Sequence, residues 1–237
     1  MSHYKRILLK ISWEAFCEPG VWGLESKHIE NVAQIIKEVV SQWLELVIVV
    51  GGWNIYRGSD LIKAWMKSSD SHNMSMLSTV FNGLSLKNFL EKQWIEAIVL
   101  DALGVEFLVR YTSLQASEYL KSWKIVICTS GTWSPYVSTD TAWVVRSIEL
   151  ECDIMIKATK VDGVYESDPI KNSDAKKIES ISYDEFIWKN LQVFDQTWII
   201  LARDNKLEIV VTKFDKLSIL EILNWDKTGT SICSSEN

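Results

Sequence analysis

The sequence predicts an α/β fold: a three-layer sandwich with a mainly parallel central sheet flanked by helices, in one domain. Three observations carry this. Short, continuous, β-branched apolar runs recur along the chain, as in strands buried on both faces. Segments with helical spacing separate them. No Pro- or Ser-rich linker or internal repeat divides the 237 residues, so residues 1–237 read as a single unit with ample length for a core.

In chain order, the strand-like runs are Arg6–Ile11, Leu46–Val50, Ile95–Leu100, Lys124–Thr129, Ile154–Ala158 and Leu207–Thr212. Between the first two, Ser26–Gln42 places Ile29, Val32, Ala33, Ile36, Val39 and Val40 on a 3.6-residue stripe, with Lys27, Glu30, Lys37 and Glu38 off it. Asn73–Gln93 repeats the pattern with Met76, Leu77, Val80, Leu84, Phe89 and Leu90. A further helix is expected to start near Thr141, with Ser138, Thr139 or Asp140 available as its cap.

Composition narrows the function. With 25 basic against 31 acidic residues the net charge is −6, and no Lys/Arg cluster offers a footprint for a nucleic-acid backbone. Cys17, Cys128, Cys152 and Cys233 are far apart and only three histidines occur, which argues against a Cys/His zinc site and for free thiols in a reducing compartment. The N-terminal apolar run stops at Ser12, and the most apolar stretch, Leu44 to Val50, is too short to span a bilayer. A cytoplasmic location is expected. Twelve tryptophans, ten glycines and three prolines exclude a collagen-like or low-complexity chain; the glycine share is about 4%, against an ordinary ~7%.

Four loops follow predicted strands, where open α/β sheets place ligands. Lys10-Ile11-Ser12-Trp13-Glu14 sets a lysine and a hydroxyl at the end of the first strand. Gly51-Gly52-Trp53-Asn54-Ile55-Tyr56-Arg57-Gly58 combines paired glycines, suited to closing backbone amides on phosphate, with a forked cation. It is either such a cradle or a tight turn, and it is not a Walker loop. Thr129 to Asp140 is dense in hydroxyls and ends in an acid. Lys157 to Pro169 turns around Asp162-Gly163 and carries an aromatic and an acid, which can flank a purine and accept ribose hydroxyls.

Together these loops resemble the bacterial uridylate (UMP) kinases of the amino-acid-kinase superfamily. The resemblance spans nearly the whole chain. It rests on Lys157-Ala-Thr-Lys-Val-Asp-Gly-Val-Tyr and on the order of the loops, with support from Asn54-Ile-Tyr-Arg-Gly, Met76-Leu-Ser-Thr-Val, Ser138-Thr-Asp-Thr-Ala and Leu201-Ala-Arg-Asp-Asn. It implies a sheet of about eight strands and transfer of the ATP γ-phosphoryl group to UMP with Mg²⁺, giving UDP and ADP for pyrimidine nucleotide synthesis. It implies a homohexamer activated by GTP and inhibited by UTP. Lys10, Arg57 and Asp140 are the implied catalytic residues, with Asp140 orienting Lys10. Lys10, Ile11, Ser12, Trp13, Trp53, Arg57, Thr159, Tyr165 and Asp168 fall at ATP-site positions. Gly52, His72, Thr132, Trp133, Ser134, Pro135, Tyr136, Val137, Ser138 and Thr139 fall at UMP-site positions. Glu18, Pro19, Gly20, Val21, Trp22 and Gly23 correspond to the GTP-responsive segment. No protein metal ligands are implied; the Mg²⁺ comes with ATP.

The chain departs from the family pattern in a consistent way. Trp13, Trp53 and Trp133 stand at glycine positions of the phosphate loops, and Trp43, Trp65, Trp94, Trp123 and Trp225 also fall where relatives commonly carry glycine. Counting those eight as glycine brings its share to about 7.6%, beside the ordinary ~7%. Trp143 and Trp198 fall at usual alanine positions. His72 replaces an acid for the UMP ribose, Ser75 a glycine and Ser134 an asparagine. Packing at helix or strand ends is expected of Trp43, Trp94, Trp123 and Trp198. Besides an active UMP kinase, two alternatives stand: a degenerate homologue keeping the fold for nucleotide binding or assembly, and another amino-acid kinase acting on a carboxylate or carbamate.

Overall fold

The computed structural model describes residues 2–18, 20–56, 65–137, 139–167, 169, 171, 172, 174–189, 191, 196–226 and 228–234. Its centre is a nine-stranded sheet. The strands in chain order are β1 (Arg6–Ile11), β2 (Glu45–Val50), β3 (Ala97–Asp101), β4 (Val109–Arg110), β5 (Ile125–Thr129), β6 (Ile154–Thr159), β9 (Ser180–Ser182), β10 (Ile209–Lys213) and β11 (Thr230–Cys233). They lie in the spatial order β4-β3-β5-β2-β1-β6-β10-β11-β9. Every pairing is parallel except β10 with β11. The short strands β7 (Val164–Tyr165) and β8 (Lys177–Ile178) form a separate antiparallel ribbon. The main sheet thus has one strand more than the eight expected.

The helices are α1 (Ser26–Val40), α2 (Ser68–Lys92), α3 (Ser113–Lys121), α4 (Thr139–Glu149), α5 (Tyr183–Trp188), α6 (Gln196–Asp204) and α7 (Lys216–Leu223). Alternation along the strands sorts the core into two layers. Ile7, Leu9 and Ile11 face α1, α2 and α7. Leu8, Val47 and Met155 face the layer holding Trp143 of α4, Ile199 of α6 and Leu120 of α3. Lys10 and Lys157 have the same parity as Leu8 and Met155, so both project toward α4. Among the described residues no helix is long and apolar enough to cross a membrane. Cys17, Cys128 and Cys152 are buried free thiols and Cys233 is half-buried.

Helix α2 begins five residues before the expected Asn73, because its first turn is polar and carries no apolar stripe. Its buried set includes Ser71, Ser78, Thr79, Asn82 and Gly83 beside Met76, Val80, Leu86 and Leu90, whereas Leu77 is exposed. A helix with polar side chains on its inner face is one that meets a site rather than only a core.

The tryptophans divide sharply. Trp143 and Trp198 are fully buried with ring centroids 5.5 Å apart, and they fill the contact between α4 and α6. Trp43, Trp94 and Trp123 are exposed, which corrects the packing role expected of them. Each follows a helix end, on backbone that is left-handed.

Candidate active site

The sheet brings the two lysines side by side. In the parallel pairing of β1 with β6, Lys10 lies in register with Lys157. Their ammonium groups flank one carboxylate: Lys10 Nζ is 3.3 Å from Asp140 Oδ1, and Lys157 Nζ donates to Oδ2 at 3.0 Å. The lysine side chains are only 11% and 7% exposed. Asp140 was expected just ahead of its helix as a cap candidate; it lies instead in the first turn of α4, with its carboxylate turned to the lysines. Burial alone would raise the Asp140 carboxyl, but Lys10 and Lys157 outweigh it and hold it well below the usual range. Burial likewise pushes the Lys157 ammonium down, to about 7, with Asp140 opposing the shift and Lys10 adding to it. Two partly compensated cations at the carboxyl ends of central strands form a receptor for a polyanion.

Three loops surround this cluster. After β1, the Ser12 amide donates to Ala158 O at 3.3 Å, tying the loop to β6. After β2, the Gly51 amide donates to Ile11 O at 3.1 Å. A β-carbon on Gly52 would lie 2.9 Å from Thr79 N and 2.8 Å from Ser78 Cβ, so glycine is needed for this loop to lie on α2. Asn54 and Asn82, both fully buried, hold the loop further: Asn82 Nδ2 donates to Gly51 O at 2.6 Å and to Asn54 Oδ1 at 2.7 Å.

The loop after β5 is anchored by Asp101, a fully buried carboxylate at the end of β3. It accepts from the hydroxyls of Thr129 (3.3 Å) and Ser130 and from the amides of Gly104 and Val105 at 2.7 and 2.9 Å. The Ser130 amide donates to Thr79 Oγ1 at 2.8 Å, and Arg146 of α4, stacked on Tyr111, donates to Gly131 O at 3.1 Å. Among the described residues Thr132 Oγ1 is buried with no hydrogen-bond partner, which leaves a hydroxyl for a ligand. His72 of α2 reaches the same loop, accepting the Tyr136 amide on Nδ1 at 3.1 Å.

Of the residues expected at the two nucleotide positions, Lys10 near the end of β1, Ser12 and Trp13 after it, Gly52 and Trp53 after β2, and Thr132 to Val137 with His72 beyond β5 fall around one cleft, whereas the Ile11 side chain is fully buried in the core layer facing α1, α2 and α7. Thr159 ends β6 and closes a local turn, its hydroxyl donating to Val161 O at 2.9 Å. Tyr165 OH donates to Asp162 at 2.5 Å, and Lys177 pairs with the other oxygen of that carboxylate at 3.0 Å. Glu18 and Gly20 to Gly23 lie on a separate loop, joined to the cleft where Asn54 Nδ2 donates to Gly23 O at 2.9 Å. Arg57, Ser138, Asp168 and Pro19 lie outside the described residues, as does the side chain of Thr139. Sequence reasoning missed Lys157 as a cluster member, and also Thr79, Asn82 and Asp101. The in-strand lysine of an otherwise apolar run was the available signal for Lys157.

For a divalent cation the donor set is thin. Asp140 is the one carboxylate between the lysines, and no group of three or more potential ligands exists among the described residues. A divalent cation bound to nucleotide phosphates and water could take Asp140 as a carboxylate ligand.

Comparison with known proteins agrees with this geometry. The amino acid kinase family profile matches residues 5–213. The chain is 38% identical to the uridylate kinase of Campylobacter jejuni subsp. doylei over 99% of this chain and 98% of that one. It is 44% identical to the Rickettsia felis uridylate kinase over 88% and 86%. Among solved structures, the UMP kinase from Bacillus anthracis superposes with a TM-score of 0.94 at 32% identity, covering 98% of this chain and 97% of that one. An aspartate kinase from Synechocystis, at 19% identity and a TM-score of 0.72, shares the fold. The chain belongs to the uridylate kinases of the amino acid kinase family.

Proposed function

We propose that the protein is a UMP kinase, transferring the γ-phosphoryl group of ATP to UMP. The observation that carries this is the Lys10–Asp140–Lys157 cluster between the Gly51-Gly52 loop and the Thr129–Val137 loop, in a chain whose curated relatives are uridylate kinases.

The acceptor is a phosphomonoester whose second pKa is about 6, so it is an oxyanion near neutral pH and needs no histidine base. The transfer demands alignment and positive charge on the equatorial oxygens. Lys10 and Lys157 supply that charge on one side of the sheet, with Asp140 fixing their spacing. Arg57 adds charge at the ATP phosphates. Ser12, Trp13, Trp53, Thr159, Tyr165 and Asp168 bound the adenine-nucleotide side. Gly52, His72 and the Thr132–Thr139 loop bound UMP, with the Thr132 hydroxyl as a donor. A Mg²⁺ ion bound to the ATP phosphates supplies further neutralisation of their charge.

The regulatory reading, GTP activation through the Glu18–Gly23 segment, is supported by the Asn54 link from Gly23 to the cleft; inhibition by UTP is carried by the family resemblance. Self-association, for which the family resemblance implies a hexamer, is supported by Met74, Leu77 and Phe81, exposed apolar residues on one face of α2.

The test is UDP formation from ATP, Mg²⁺ and UMP, with CMP, glutamate and carbamate as alternative acceptors. It is run on this chain and on a variant with Trp13→Gly, Trp53→Gly and Trp133→Gly. UMP-selective turnover in the variant is expected. No turnover on UMP in either form, or preference for a carboxylate or carbamate, contradicts the assignment.

A further inference from the structure

Five tryptophans sit on left-handed backbone. Trp43, Trp94, Trp123, Trp133 and Trp225 have φ of 60°, 65°, 61°, 55° and 66°. Among the described residues nine non-glycine positions have positive φ, and tryptophan, with 12 of the 237 residues, supplies five of them. A β-carbon is disfavoured in this region, and an indole has no short polar group to compensate as asparagine or aspartate does.

Four of the five follow helix ends. After α2, the Trp94 amide donates to Glu91 O at 3.0 Å and the Ile95 amide to Leu90 O at 3.1 Å. After α3, Trp123 donates to Leu120 O at 2.9 Å and Lys124 to Tyr119 O at 3.0 Å. After α7, Trp225 donates to Ile222 O and Asp226 to Glu221 O, both at 3.0 Å. Trp43 donates to Val40 O at 3.1 Å after α1. The paired bonds after α2, α3 and α7 define the helix stop whose left-handed residue is usually glycine.

The side chains add little to the core. Trp94 is 96% exposed, and Trp43, Trp123 and Trp225 are also exposed. Trp43 and Trp123 meet edge-on at 6.0 Å, and Trp225 leans on His3 and Tyr4 near the N-terminus. The equivalent stops after α4 and α6 carry Glu151 and Lys206, with φ of 52° and 53°, so these ends can accommodate an extended polar side chain. A recurrent choice of the largest residue is not explained by accommodation.

The fifth lies in the cleft. Trp133 follows Ser130 and Gly131, which have φ of 60° and 58°, and its amide donates to Ser130 O at 3.0 Å. Trp133 directly follows Thr132, whose buried hydroxyl has no hydrogen-bond partner among the described residues.

One cause covers all five. Tryptophan and glycine codons differ by a single base, and the same exchange at every site also removes the imbalance of 12 tryptophans against 10 glycines. We infer that positions 43, 94, 123, 133 and 225 are glycine in the protein made by its source cell, where the codon read here as tryptophan is translated as glycine.

Peptide mass spectrometry of the full chain isolated from its source cells tests this. Each peptide covering one of the five positions is expected to be lighter than the present sequence requires, by the difference between a tryptophan and a glycine residue. Tryptophan at any of the five positions in that protein overturns the inference.

Discussion

Asn54 and Asn82 exchange side-chain amide hydrogen bonds at 2.7 and 3.0 Å while fully buried. Each spends its second amide proton on a backbone carbonyl, Asn54 on Gly23 and Asn82 on Gly51. The pair thus fastens the Glu18–Gly23 loop, the glycine loop after β2 and helix α2 to one another. Asn82→Ala would leave the Gly51 carbonyl, Asn54 Oδ1 and one of the two Asn54 amide protons without their partners, at a cost of about 2–3 kcal/mol. Urea unfolding checks this. Loosening of the loop is expected to lower kcat/KM for UMP by about 10²-fold, as small misplacements of positioned groups do.

Asp101 acts on the other wall of the cleft. Asp101→Ala removes the acceptor of four donors and is expected to cost about 3 kcal/mol, with the residues after β5 released. Steady-state kinetics should show KM for UMP rising about ten-fold with KM for ATP little changed. An equal rise in both would place Asp101 in general stability alone.

Lys157 gives a pH signature. Its folded-state value of about 7 lies below the ~10.4 of an unfolded lysine. Between those values the unfolded chain binds more protons, so stability rises with pH across that window and the contribution is lost on acidification through 7. Lys157→Met is expected to abolish that rise. Unfolding free energies at pH 7 and pH 9 check it, and parallel behaviour of both proteins would contradict a depressed lysine.

The left-handed tryptophans make a stability prediction independent of catalysis. Trp43→Gly, Trp94→Gly, Trp123→Gly and Trp225→Gly should each stabilise the chain by about 1 kcal/mol, because relief of the left-handed backbone exceeds the small loss of exposed contact. Each should raise the thermal midpoint by about 2–4 °C in a protein of this size. A lower midpoint in the variants would show that the indoles stabilise the helix ends.

The strands were the most legible part of the sequence. The apolar run Arg6–Ile11 coincides with β1 and the other five main runs match their strands to within two residues, because continuous β-branched runs have few other uses. The short strands Val109–Arg110 and Ser180–Ser182 carry too few residues for a periodic signal. Within the cleft, loop composition pointed to Lys10, Gly52, Thr132 and Asp140. The partnership of Lys10 with Lys157 was hidden, since it arises from pairing strands 147 residues apart in sequence. Thr79 and Asn82 were hidden for a different reason: in a list of apolar positions, polar residues on the inner face of a helix look like solvent-facing ones. Asp101, one residue past the expected end of its run, looked like an ordinary loop acid.

The lysines flanking Asp140 are proposed here as the phosphoryl-transfer centre. The most direct measurement is UDP formation from ATP, Mg²⁺ and UMP by Lys10→Ala, in the form carrying Trp13→Gly, Trp53→Gly and Trp133→Gly, with circular dichroism confirming the fold. Loss of about 10²–10³-fold in kcat with an unchanged spectrum is the predicted result. Undiminished kcat in the folded variant would contradict it.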